Sequence, residues 1–320
     1  MRTAFIQELL ELAKQDSRIV FITGDLGFGV VQPFMEQLPA QFLNAGVAEQ
    51  NMTGMAAGMA LSGKIVFTYS IANFPTLRCL EQVRNDVCYH NANVKIVSVG
   101  GGFTYGAMGA THHAIEDLAV MRALPGLVVV APGDPVEARA ATRAIVAYNG
   151  PCYLRLGKAG EPIVHKSAID FELGKAIPVR EGRDATLISI GGILQNTVLA
   201  AEHLEKEGIQ TRVLSMPTLK PLDFEAVLAA ARETRAVFTI EEHSILGGLG
   251  TAVAEVLAET EGVKVPLKRI GVPPAFSPHT GSQEYMQECH GLSPAGIARS
   301  VSSTLRALLQ STASTGTRNV

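Results

Sequence analysis

Apolar residues at Ile6, Leu9, Leu10 and Ala13 recur at the i, i+3, i+4, i+7 spacing of a helix with one buried face, so the chain opens on an amphipathic helix. A short apolar run at 19–22 follows and breaks at Thr23-Gly24-Asp25. From there, short apolar runs at 64–68, 94–99, 127–131 and 152–156 read as strands, alternating with helical patterns such as Leu80, Val83 and Val87. Asp134-Pro135 marks a helix start, with Asp as the cap and Pro at the first helical position, where its missing N–H is no loss. Strands apolar throughout, alternating with helices, predict a parallel sheet covered on both faces. Residues 158–183 interrupt this rhythm with Gly160, Pro162, Gly174, Pro178, Gly182 and mixed charges, and read as a linker. A second α/β set follows, with strands at 185–190, 211–215, 236–240 and 265–270 and helices at 194–207, 224–232 and 250–259. Ser293-Pro294 opens a last helix. The expected organisation is an α/β domain over 1–157, the linker over 158–183, a smaller α/β domain over 184–311 and a disordered tail over 312–320.

Composition narrows the functional classes. A chain of 320 residues, 47% hydrophobic and 18% charged, has the material for two packed cores and is not a disordered segment. No apolar run approaches the roughly 18 residues of a membrane span, and the acidic, helical opening is not a signal peptide. The net charge of −3 provides no basic stripe for nucleic acid. Cys79, Cys88, Cys152 and Cys289 are scattered, with no CxxC pair and no zinc spacing. The expectation is a reduced, cytoplasmic α/β protein without a metal site of its own.

Three loops after strands stand out, since such loops are where parallel sheets bind ligands. One runs from Asn44 to Met52 and places Glu49 at a helix start, where residue type alone suggests a carboxylate complementing the dipole. Another, from Ser98 to His113, is dense in glycine and ends on paired histidines, the side chain that trades protons near neutral pH. The third, from Phe67 to Arg78, contains Pro75, fit for a helix opening, and Phe74, either a hydrophobic staple or a ring platform. Two glycine runs are weaker signals. Residues 24–29 have the order GxxGxG rather than GxGxxG and lack a P-loop ending, and Gly247-Gly248-Leu249-Gly250 is either an anion cradle or a close-packed turn.

Taken in order, GDLG (24–27), NAGVAEQNM (44–52), EQVRNDV (81–87), GATHH (109–113), LPGLVVVAPGDPVEA (124–138), KPLD (220–223) and EEHSILGGLG (241–250) resemble the C-terminal half of a transketolase. The resemblance spans residues 2 to about 309. It implies a pyrimidine-binding thiamine diphosphate-type domain followed by the smaller transketolase C-terminal domain. Glu49 then matches the family carboxylate that hydrogen-bonds the aminopyrimidine and favours its imino form, the internal base. Phe74 matches an aromatic ring that stacks on the aminopyrimidine, with Ile71 and Leu77 where flanking aromatics are common. His112 matches a histidine that hydrogen-bonds substrate hydroxyls. His113 is its neighbour, read equally as structural or substrate-facing. Arg2 sits where a phosphate-binding arginine is found, and Arg155 or Lys158 matches a second cation.

The departures are informative as well. Met108 stands where the family has an aspartate that contacts a substrate hydroxyl, and Gly100 where a phosphate-binding histidine falls. These imply a sugar or sugar-phosphate substrate other than the usual pentose phosphates. The chain lacks the family's Gly-Asp-Gly…Asn set, which grips the diphosphate through Mg²⁺. With Met1 directly before the domain, the expectation is a split enzyme: an N-terminal subunit holds diphosphate and Mg²⁺, the active site lies between chains, and the assembly is α2β2. Other readings are a 1-deoxyxylulose-5-phosphate synthase-like ligation, a 2-oxo-acid dehydrogenase beta chain, and a non-catalytic regulatory chain. Glu241, Glu242 and His243 read as interface or fold residues.

Overall fold

A computed structural model describes residues 1–315, with side chains described through residue 310. In chain order the strands are β1 (Ile19–Thr23), β2 (Phe42–Asn44), β3 (Ile65–Ile71), β4 (Val94–Val99), β5 (Val128–Val130), β6 (Cys152–Leu156), β7 (Ile177–Arg180), β8 (Ala185–Ile190), β9 (Thr211–Ser215), β10 (Thr218–Lys220), β11 (Val237–Ser244) and β12 (Leu267–Val272). Among the described residues they form two sheets, in the orders β10-β5-β6-β4-β3-β1-β2 and β12-β11-β8-β9-β7. Every residue of β1, β4, β6 and β8 is buried, as strands covered on both faces must be.

Alternation along each strand divides the first sheet's core. Phe21, Phe67, Tyr69, Val97 and Leu154 pack with Phe5 and Leu9 of the opening helix on one side. Val20, Ile22, Val66, Val94, Ile96 and Tyr153 face the other. That second layer is continuous with Ile188, Ile190, Leu214 and Met216 of the second sheet, so the two halves share one apolar interior. The halves are also joined through hydrogen bonds. β10 leaves the second half to pair antiparallel with β5, at the outer edge of the first sheet.

Several details depart from the periodicity. The stretch 72–79 forms turns, so Pro75 opens no helix; the helix starts at Leu80 and widens into a π-helical turn over Val83–Cys88. Within the expected linker, β7 pairs antiparallel with β9 as an edge strand of the second sheet. The last helix runs from Pro294 to Thr315 and overlaps the start of the expected tail, whose remainder lies outside the described residues. No helix among the described residues is long and apolar enough to cross a membrane.

Asp134 caps its helix as its place before Pro135 predicts, with Oδ1 accepting from the N–H groups of Val136 (2.9 Å) and Glu137 (2.8 Å). Its Oδ2 reaches across to accept from Val164 and His165, at 2.9 Å each, fastening the segment between the halves. Glu137 adds a bond to His165 Nε2 at 2.7 Å and accepts from Gly133 N.

Candidate active site

The three loops singled out in the sequence meet at the same end of the first sheet. After β2, Asn44 ties two of the loops together: its amide donates to Asp25 Oδ1 (2.8 Å), and its carbonyl accepts from the N–H groups of Asp25 and Gly46. Glu49 is the first residue of the helix Glu49–Leu61 and is 2% exposed. Its Oε2 accepts from Arg78 Nη1 at 2.8 Å, and its Oε1 has no protein partner among the described residues. The Arg78 guanidinium also lies 4.4 Å from the centre of the Phe74 ring.

Phe74 is half-buried in the turn after β3, and the His112 ring stands edge-on to it at 5.4 Å. Asn73 holds this arrangement, its amide donating to the carbonyls of Thr111 (3.1 Å) and His113 (3.0 Å). The two histidines divide in role. His113 is buried, with Nε2 3.0 Å from Gly106 O and its ring edge-on to Phe103. His112 is half-exposed, with Nδ1 near the Thr111 hydroxyl. Ile71 is half-buried at the end of β3, while Leu77 is exposed.

Met108 is 60% exposed, in the short turn Gly106–Met108, at the lip of a cleft of about 530 Å³ between the two halves. Tyr105 and Lys158 line the same cleft. Gly100 has φ +95°, and a Cβ there would fall 2.2 Å from the Tyr105 ring, so Tyr105 fills the space a side chain at 100 would take. Arg2 lies beside the Tyr69 and Tyr105 phenols, and its buried Nε has no partner among the described residues. Burial raises both phenol pKa values, an effect the Arg2 charge partly offsets.

The two cations left open in the sequence differ sharply. Arg155 is buried, pairs with Asp117 at 2.8 Å, and donates through Nη2 to the carbonyls of Ala114 and Glu242. Lys158 is exposed, with Nζ 5.7 Å from the Tyr105 ring centre. Sequence reasoning passed over Asn73, Arg78 and Tyr105 as site residues; all three lay inside the loops it singled out, without a local signal of their partners.

The fit to thiamine diphosphate rests on the donor set. A buried carboxylate with one free oxygen faces a ring platform, and Gly24 brings bare backbone to ordinary contact distance of Glu49 Cγ. For a metal, the described residues offer Asp134, Glu137 and His165. Their oxygens already serve backbone N–H groups and each other, so they read as a clasp.

Comparisons with known proteins agree with this geometry. The family described as transketolase, pyrimidine binding domain, matches residues 1–160, and transketolase, C-terminal domain, matches residues 174–297. One of the two subunits of an apulose-4-phosphate transketolase from Phocaeicola vulgatus is 43% identical over 93% of this chain and 95% of its own. A 6-deoxy-6-sulfo-D-fructose transketolase subunit of a Clostridium species is 41% identical over 93% of this chain and 92% of its own. A solved structure described as a split gene transketolase, inactive beta4 tetramer, superposes with a TM-score of 0.88 at 39% identity, covering 95% of this chain and 98% of that one.

Proposed function

The chain belongs to the transketolase family, and from that footing we propose that it is the pyrimidine-binding chain of a two-chain, thiamine diphosphate-dependent transketolase. The reaction is transfer of a two-carbon ketol unit from a ketose to an aldehyde. One observation carries the reading: Glu49, buried and held by Arg78, keeps a free oxygen beside the Phe74 ring and the His112 loop.

Thiamine diphosphate, when bound, supplies the nucleophilic carbon and electron sink that such a transfer needs. Glu49 shares a proton with the aminopyrimidine ring nitrogen; burial makes that hydrogen bond stronger than it would be in water. Phe74 carries the ring face, with Ile71 and Leu77 giving apolar contact. His112 faces the substrate hydroxyls next to the reacting carbon, and His113 fixes the loop from behind. The partner chain holds the diphosphate and Mg²⁺, completing the site in an α2β2 assembly.

The substrate is a ketose outside the common pentose phosphates, carrying an anionic end met by Lys158 and Arg2. Met108 offers no charged acceptor to a hydroxyl, so a substrate lacking that hydroxyl avoids an unpaired buried donor, a penalty of about 1–3 kcal/mol. Support comes from the sugars named for the two relatives, both unusual and both bearing an anionic group.

The test is capture of the partner with tagged chain from the native extract, followed by reconstitution with thiamine diphosphate and Mg²⁺. Saturable cofactor binding and two-carbon transfer by the pair, absent from either chain alone, are expected. Glu49→Gln is expected to lower turnover by at least about 10²-fold, the scale of a lost acid–base role. Unchanged turnover in that variant would remove the catalytic reading, and pyruvate consumption with CO2 release would favour the synthase-like one.

A further inference from the structure

The glycine-rich loop that carries Met108, His112 and His113 is closed at its neck. Gly102 N donates to Ala114 O at 2.8 Å and Ala114 N to Gly102 O at 2.9 Å, forming an isolated antiparallel bridge. The end of β11 runs past this neck from the other half of the molecule, with Ser244 N donating to Ile115 O at 2.8 Å. Arg155 Nη2 ties the same two segments, donating to Ala114 O at 2.8 Å and to Glu242 O at 3.0 Å.

Inside the neck sits the Glu242 carboxylate, 4% exposed. Oε1 accepts from Phe103 N at 2.6 Å, Gln283 Nε2 lies 3.0 Å from both oxygens, and Oε2 accepts from Gln287 Nε2 at 2.7 Å. Position 102 has no room for a side chain. Its φ is +67°, and a Cβ there would fall 2.5 Å from Glu242 Oε1. The residue held by that carboxylate leads directly to the site. The Phe103 ring lies between His113, edge-on at 5.1 Å, and His290, stacked at 5.0 Å, and His113 is the neighbour of His112.

We propose that Glu242 is a positioning residue for substrate: a carboxylate of the second half that fixes the neck of the loop presenting Met108 and His112 to the reacting sugar. This rests on the transketolase reading above. The carboxylate accepts every hydrogen bond it makes here, which a neutral amide does not match without a partner turning over. No cation touches it, and burial raises its pKa, an effect the Phe103 N–H and the two glutamine amides partly offset. The second half thereby acts on substrate without reaching Glu49 or the cofactor ring, which other loops hold.

The test uses the reconstituted complex. Glu242→Ala is expected to raise KM for the sugar about tenfold, the scale of one lost charge-assisted hydrogen bond, while the Kd for thiamine diphosphate stays within about twofold. Amide exchange across residues 102–114 speeds up in the same variant. Glu242→Gln keeps an oxygen for Phe103 N and restores most of the KM. Arg122→Ala is the control, since it breaks the Arg122–Glu255 ion pair, a contact between the halves away from the loop. An unchanged KM in Glu242→Ala, or an equal rise in Arg122→Ala, overturns the proposal. If Glu242→Ala does not fold, Gln283→Ala removes one donor from outside the neck, and unchanged exchange and KM there are equally decisive against it. Absence of transfer by the wild-type complex counts against the functional reading, whereas the exchange measurement reads the loop without turnover.

Discussion

Replacing Asp134 separates two jobs done by one carboxylate. Oδ1 caps the helix Pro135–Ala147 through two N–H groups, and Oδ2 receives two more from Val164 and His165, all at 2.8–2.9 Å. Losing the cap costs about 1 kcal/mol. Each bond to the connecting segment adds about 1 kcal/mol, since the donors are left behind in a part-buried setting. Asp134→Ala is therefore expected to lower stability by about 3 kcal/mol, or roughly 6–12 °C in Tm for a unit of this size. Asp134→Asn retains a capping carbonyl but turns an NH₂ toward two donors, so it should lose only the second part, about 2 kcal/mol. Differential scanning calorimetry reads the first quantity, and amide exchange at 164 and 165 reads the second. Wild-type exchange at those residues in Asp134→Asn would refute the reasoning, as would equal losses in both variants.

Other outcomes follow from the same structure. Burial opposes charging of His165, but the hydrogen bond and charge of Glu137, with Asp134 beyond, outweigh it and raise its pKa above the ordinary 6.5. Its stabilising effect is then fully present below 6.5 and lost as pH rises through the folded value; His165→Gln should flatten that part of a Tm-against-pH curve. Gly100→Ala forces a left-handed backbone and a Cβ into Tyr105, so a loss of about 2–3 kcal/mol in chemical denaturation is expected, and a neutral result would mean the ring moves freely. Met108→Asp, at an exposed position, should change stability by no more than about 0.5 kcal/mol. In the reconstituted pair it should shift preference toward ordinary ketose phosphates with loss on the native substrate, and an unaltered substrate profile would leave Met108 without a role in specificity.

The central strands were legible because burial on both faces makes them apolar throughout, and the alternation with helices marked a parallel sheet. The edge strands were not. Phe42–Asn44, Ile177–Arg180 and Thr218–Lys220 are three or four residues long and partly polar, and the second contains Pro178. They are strands because a neighbouring edge is there to pair with. In the site, residue type alone gave Glu49 only a dipole role; the family resemblance was needed to name its chemistry. Glu242 was hidden for a different reason. Its partner Phe103 lies 139 residues away, and no local pattern announces a carboxylate that fits a loop from another sheet.

The strand Thr218–Lys220 also sets an order of events during synthesis. The first sheet has its central strands as soon as residue 156 has left the ribosome, but one edge stays open until more than sixty further residues have followed. In that interval Val128–Val130 presents unpaired N–H and C=O groups, the template on which sheets from different chains join. A gene fragment ending near residue 160 would make that interval permanent. The boundary between the matched families is therefore a poor place to cut, and the smallest piece with both edges of the first sheet in place extends past Lys220.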